Sequence, residues 1–179
     1  MEIELEQAIA QPPRTAGWLT RINATISRYT MYATVAGLVV IVGIVFYQVF
    51  GRYVLNSSPT WAESLALVLI LYVTLLGAAV GVRDAGHIGM ESLLVLVPEH
   101  IRNKVEIVIH ALVAIFGAAM VYNGWILGSS VAAYKIPNLE LPEVVRYVPL
   151  VVSGFFIVLF SIEHIIALLK DEEVEPAWN

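Results

Sequence analysis

The sequence predicts an all-α integral membrane protein with four transmembrane helices, and three observations carry that prediction. Only 14% of the residues are Asp, Glu, Lys or Arg, whereas a soluble domain carries about 25%. The shortfall is gathered into long apolar stretches rather than spread along the chain, and the mean hydropathy is +0.79. Each stretch approaches the roughly 20 residues that cross a hydrocarbon core about 30 Å thick.

Residues 1–13 are polar, end in Pro12-Pro13 and read as a tail with no leader to be cleaved. Over residues 14–29 the pattern turns helical. Trp18, Leu19, Ile22, Ile26 and Tyr29 share one arc, and Arg14, Arg21 and Arg28 stack on its edge at seven-residue intervals. Beside the plainer alternative of a short solvated helix leading into the first span, this predicts an N-terminal helix lying in the membrane interface. Trp18, Arg14, Arg21 and Arg28 would be its anchors to lipid head groups. The spans follow at about 31–50, 64–82, 105–127 and 147–169, the first two without any charge.

Between spans two and three, Ile88, Met90, Leu93, Leu94 and Val97 form an apolar run closed by Pro98. It is too short to cross, which predicts a short flat helix on the cytoplasmic side. Between spans three and four, Pro137 and Pro142 bracket Leu139-Glu140-Leu141 and forbid an uninterrupted helix. The chain thus divides into an N-terminal segment 1–30, a transmembrane domain 31–169 and an acidic tail 170–179.

Flanking charge gives the orientation. Arg14, Arg21, Arg28, Arg83, Arg102, Lys104 and Lys170 fall on one side, against Arg52, Lys135 and Arg146 on the other. Lys and Arg favour the cytoplasm, so both termini are expected there. The net charge of −5 and the absence of any basic cluster speak against nucleic-acid binding. With no cysteine, thiolate zinc sites, disulfides and thiol chemistry are excluded. No nucleophile–base pair, phosphate loop or metal-ligand spacing points to an enzyme.

Charges at the ends of spans are informative because burying one in lipid is costly. Arg52 closes span one and Glu63 opens span two on the same side with Trp61 beside it, so an ion pair is expected there, between the two or with a partner chain. Arg83, Asp84 and His87 follow span two and read as a solvated boundary cluster. His110 and His164 fall at similar depth on adjacent spans. Facing histidines are what an axial haem pair requires, so a haem-bearing anchor of a respiratory enzyme stands as a second reading beside ordinary packing. Gly77 and Gly81, Gly117 and Gly154 would let helices approach closely. No internal repeat with broken helices suggests an autonomous carrier.

In their order these features resemble one family, the DctQ-like small permease subunits of tripartite ATP-independent periplasmic (TRAP) transporters. The resemblance rests on Arg52-Tyr53, Trp61-x-Glu63, Gly77-Ala78-Ala79, Arg83-x-x-x-His87-Ile88, Pro98 with Arg102, Pro137-x-Leu139-x-Leu141-Pro142 and Tyr147-Val148-Pro149-Leu150, across about residues 46–155. Glu91 departs from it, since the family commonly carries Asp there. The resemblance implies a non-transporting subunit of a bacterial or archaeal inner-membrane uptake system for an organic acid or similar solute. It would brace a large elevator-type membrane subunit and help dock a periplasmic solute-binding protein. It would hold no cofactor itself, with Na+ expected only in the large subunit. Arg52, Trp61, Glu63, Gly77, Gly81, Arg83, His87, Pro137, Leu141, Pro142 and Pro149 are then the candidate interface or structural residues.

Overall fold

The computed structural model describes residues 18–57, 59–84, 99–170 and 174. Four long helices account for most of them: α1 Trp18–Tyr53, α2 Thr60–Asp84, α3 Glu99–Ser130 and α4 Val148–Leu169. A single 3-10 turn, Glu143–Arg146, precedes α4. All four helical stretches are long and apolar enough to cross a membrane, so the chain is a multi-pass membrane protein.

The helices stand in a row rather than closing into a square bundle. Among the described residues α1 packs on α2, α2 on α4 and α4 on α3, while α1 meets α4 at only a few points. Close approach along the row depends on glycine. A Cβ at Gly154 would sit 2.7 Å from the carbonyl oxygen of Gly117, and one at Gly117 would sit 2.9 Å from that of Gly154. Further along the α3–α4 seam, Gly124 faces Leu150 and Val151. Ala79, Ile157 and Phe160 form the small buried core between α2 and α4, with Ile26, Val82, Val113, Met120 and Phe156 packed against it. Both outer faces of the row remain apolar and open; α1 is the least covered span and α4 the most.

The structure corrects the expected N-terminal arrangement. Residues 18–30 do not form a helix of their own: α1 runs through 36 residues without a break, about 54 Å at 1.5 Å per residue. The physical reason is a polar stripe. Asn23, Ser27 and Thr30, spaced four and three apart, are buried against the rest of the row. Trp18, Arg21, Arg28 and Tyr29 lie on the outward side. The same inward line continues through Thr34, Gly37, Ile41 and Ile44, where Gly37 meets Val73 of α2. Arg14 and the apolar run proposed as a flat helix, with His87, lie outside the described residues.

Each helix end has a local cause. Pro149 occupies the first turn of α4, where its missing N–H costs no intrahelical bond. The α1–α2 turn closes through the Ser57 amide donating to the Gly51 carbonyl at 3.0 Å. A Cβ at Gly51 would meet the Ser57 carbonyl at 2.9 Å, so the turn admits no larger residue there without shifting.

Candidate functional site

Four helices bring polar side chains together at the end of the row where α1 begins and α4 ends. Arg83 ends α2, and its side chain is fully enclosed. Its Nε and Nη2 donate to Glu163 Oε2 and Oε1 of α4, each at 3.1 Å, a two-pronged pairing that matches the planar guanidinium to the carboxylate. Nη1 donates to Asp84 Oδ1 at 2.7 Å. From α1, Asn23 Nδ2 donates to Glu163 Oε2 at 2.9 Å, and the Ser27 hydroxyl makes a short hydrogen bond to Asp84 Oδ2.

Histidine joins α3 to this assembly. The rings of His110 and His164 stack with centroids 4.4 Å apart and planes 7° from parallel. His164 Nε2 lies 3.0 Å from the Arg83 carbonyl oxygen. A carbonyl only accepts, so Nε2 is the protonated nitrogen in this arrangement. The network therefore links α1, α2 and α4 by hydrogen bonds and α3 by ring contact.

Charge satisfaction explains why these groups tolerate burial. An ionised carboxylate or guanidinium taken from water is stable only with an opposite charge and with its remaining donors and acceptors engaged. Glu163 accepts from Arg83 and Asn23, while Asp84 accepts from Arg83 and Ser27. This corrects the expectation for Arg83 and Asp84: they are 1% and 3% exposed, not a solvated cluster. Glu163 of α4 packs on Arg83, and the N-terminal part of α1 adds Ser27 on Asp84 and Asn23 on Glu163. Two signals pointed to the covered site: the polar spacing Asn23, Ser27, Thr30, and the Glu163-His164 pair inside an apolar helix.

The histidine geometry also bears on haem. Axial ligands approach iron through ring-edge nitrogens from opposite sides of a porphyrin. Here the two rings meet face to face with no space for a macrocycle, and one Nε2 faces a backbone carbonyl. These histidines do not fit a haem pair.

At the opposite end the candidates are dispersed. Arg52 and Glu63 are both exposed and make no ion pair with each other, contrary to expectation. Trp61 lies beside Tyr47 with ring centroids 6.1 Å apart, tying α2 to α1 by aromatic contact instead. Pro137, Leu141 and Pro142 are exposed in the α3–α4 connection. Pro149 is buried in the first turn of α4. A Cβ added at Gly77 or Gly81 would meet nothing within 4 Å, so these two glycines serve no close approach among the described residues.

Comparison with known proteins follows the same architecture. The family model described as the DctQ component of tripartite ATP-independent periplasmic transporters matches residues 41–171. The chain belongs to the DctQ family. That match covers α2, α3, α4 and the last part of α1, from residue 41 on. The sialic acid TRAP transporter small permease protein SiaQ of Vibrio cholerae is 23% identical over 152 residues, covering 85% of this chain and 88% of that protein. A putative TRAP transporter small permease protein of Haemophilus influenzae is 25% identical over 144 residues, 79% of this chain and 87% of its own length. Another Haemophilus influenzae protein, the sialic acid TRAP transporter permease protein SiaT, is 37% identical over 75 residues, which are 42% of this chain but 12% of SiaT. A DctQ-like segment is therefore similar to a small part of a much longer permease. DctQ proteins are transporter subunits, and the family gives no support to an enzyme or a haem anchor.

Proposed function

We propose that this chain is the small, non-transporting scaffold subunit of a TRAP-type secondary transporter. In this reading it braces a large elevator-type permease subunit in the inner membrane, with both termini cytoplasmic, and helps dock a periplasmic solute-binding protein. Import of an organic acid or similar solute is driven by an ion gradient, with the Na+ site in the large subunit. One observation carries the non-transporting part. The buried ionisable side chains Arg83, Asp84 and Glu163 are engaged with one another across the helices instead of lining a cavity. A carrier spends such groups on its substrate or ion, at broken helices near the midplane; α1 to α4 are continuous.

The one-layer row supports the bracing role, because both of its apolar faces are available to lipid or to another membrane chain. The similarity of part of SiaT to this chain supports a large permease as the neighbour. The orientation rests on the Lys and Arg count.

Reconstitution tests the proposal. The purified chain alone in proteoliposomes, under a sodium gradient and with candidate organic acids, is expected to give no uptake above empty vesicles. Adding the large subunit and binding protein of the same system should give uptake that is lost when this chain is omitted. Uptake by the chain alone, or undiminished uptake without it, overturns the reading.

A further inference from the structure

At the end of the row opposite the buried ion network, the α3–α4 seam opens into a groove. A cavity of about 250 Å3 lies there, open along one side. Gly124 and Gly128 of α3 form its floor, where the helices press together. A Cβ at Gly124 would meet Val151 at 2.9 Å, and one at Gly128 would meet Val144 and Tyr147 at 3.3 Å. Trp125 and Ser129 make one wall and Val148 and Val152 the other, each pair one helical turn apart. The Ser129 hydroxyl donates to the Ile126 carbonyl of its own helix at 2.8 Å, so that wall adds no free donor.

Size and depth narrow the choice of occupant. A helix is about 10 Å across and cannot enter such a space, whereas a single acyl chain is only one methylene wide. The groove runs between two membrane-crossing stretches, so the medium at its open side is lipid. Exposed Trp125 stands on its rim, and tryptophan favours the head-group level of a bilayer. Val148 and Val152 are β-branched and stiff, which keeps the groove in shape before anything enters. A chain seated there gains van der Waals contacts on both walls without rearranging them.

Charge at the end of the groove points to a phospholipid. Arg146 belongs to the same 3-10 turn as Val144, which lines the cavity. Among the described residues its guanidinium makes one side-chain hydrogen bond, from Nη1 to Glu143 Oε1 at 3.2 Å. Its remaining N–H donors are available to a phosphate, which arginine binds in two-pronged fashion. The Glu143 carboxylate beside it complements the ammonium of an ethanolamine head group.

We propose that this groove is a phospholipid site, with one acyl chain lying over Gly124 and Gly128 and the phosphate held by Arg146. Native mass spectrometry of the full chain tests this, by titration with dioleoyl phosphatidylethanolamine and with dioleoylglycerol as the control lacking phosphate. One phospholipid should bind ahead of all others. Val152→Phe fills the groove from its rim and should weaken that first binding about tenfold, through lost van der Waals contact. Ser129→Leu fills it from the other wall and should repeat the loss. Arg146→Gln should weaken phospholipid binding about fivefold, as loss of a partly exposed charged hydrogen bond does, and should leave dioleoylglycerol unchanged. Thermal midpoints in lipid-free detergent identify any variant that has merely misfolded. Equal phospholipid affinity in wild type, Val152→Phe and Ser129→Leu overturns the proposal, since the bound lipid is then only the ordinary surrounding layer. Equal weakening of both lipids by Arg146→Gln, or of neither, overturns the phosphate contact. Expulsion of the lipid when the large subunit of the same system is added also overturns the proposal, giving the groove to a membrane chain.

Discussion

The two ends of the helix row solve the same problem in opposite ways. At the end where α1 begins and α4 ends, Arg83, Asp84, Glu163, Asn23 and Ser27 are enclosed and bonded across three helices. At the other end, Arg52 and Glu63 stay exposed and separate, and order comes from local turns, aromatic contact and the Tyr72–Val145 hydrogen bond. A charge is thus a fastener at one end and a surface group at the other. The difference is burial: an enclosed ion must find its partner, whereas an exposed one is already satisfied by water or head groups.

The largest effect should follow from removing the central cation. Arg83→Ala leaves Asp84 and Glu163 enclosed without their counter-charge, a change that typically costs about 3–5 kcal/mol. Thermal unfolding of the purified variant in detergent should show a clear loss of stability, and an unchanged midpoint would deny that the network fastens anything. A smaller loss is expected at the α3–α4 crossing. The Cβ of Gly154→Ala would collide with the Gly117 carbonyl, and overpacking of this kind costs about 1–3 kcal/mol. Gly77→Ala is the control from the same residue class: its Cβ meets open space, so stability should stay within about 0.5 kcal/mol of wild type. The smallest effects belong to the open end. Arg52→Ala and Glu63→Ala should each change stability by less than about 1 kcal/mol, and the charge-reversed double variant should equal the sum of its singles. Coupling between them would mean that the two ends are more alike than the structure has them.

How much of this was legible in the sequence depends on whether the signal was local. The four spans were readable because each is an apolar run of membrane-crossing length, and the similar depth of His110 and His164 followed from counting along antiparallel helices. Gly117 and Gly154 were read as points of close approach and do meet. The row order was not readable, since nothing local says that α4 inserts between α2 and α3. That gap produced the misreading of Arg83. Alone, an arginine at the end of an uncharged span looks solvated. Its partner Glu163 lies on α4, and Asn23 and Ser27 of α1 bond Glu163 and Asp84 beside it, so the enclosure is made by helices distant in sequence. Arg21 and Arg28 drew attention to the outward face of α1, while the polar stripe on its inward face carried the tertiary information. Arg52 and Glu63 went the other way: shared depth suggested contact within the chain, but both residues are exposed and do not pair with each other.

The central claim is that Arg83 and Glu163 act as one unit holding the helices together, and a double-mutant cycle tests it most directly. So that Asp84 is not left as an unpaired buried charge, Arg83→Met, Glu163→Leu and the double variant would be made in an Asp84→Asn background and measured for thermal stability, and for recovery with the large subunit. Apolar replacement of both members of a buried ion pair is often close to neutral, whereas losing one member is strongly destabilising. Each single variant should therefore lose stability and yield of complex, and the double variant should recover a large part of both. Single variants that behave like the Asp84→Asn background, or a double variant whose loss is the sum of the two singles, would contradict the account.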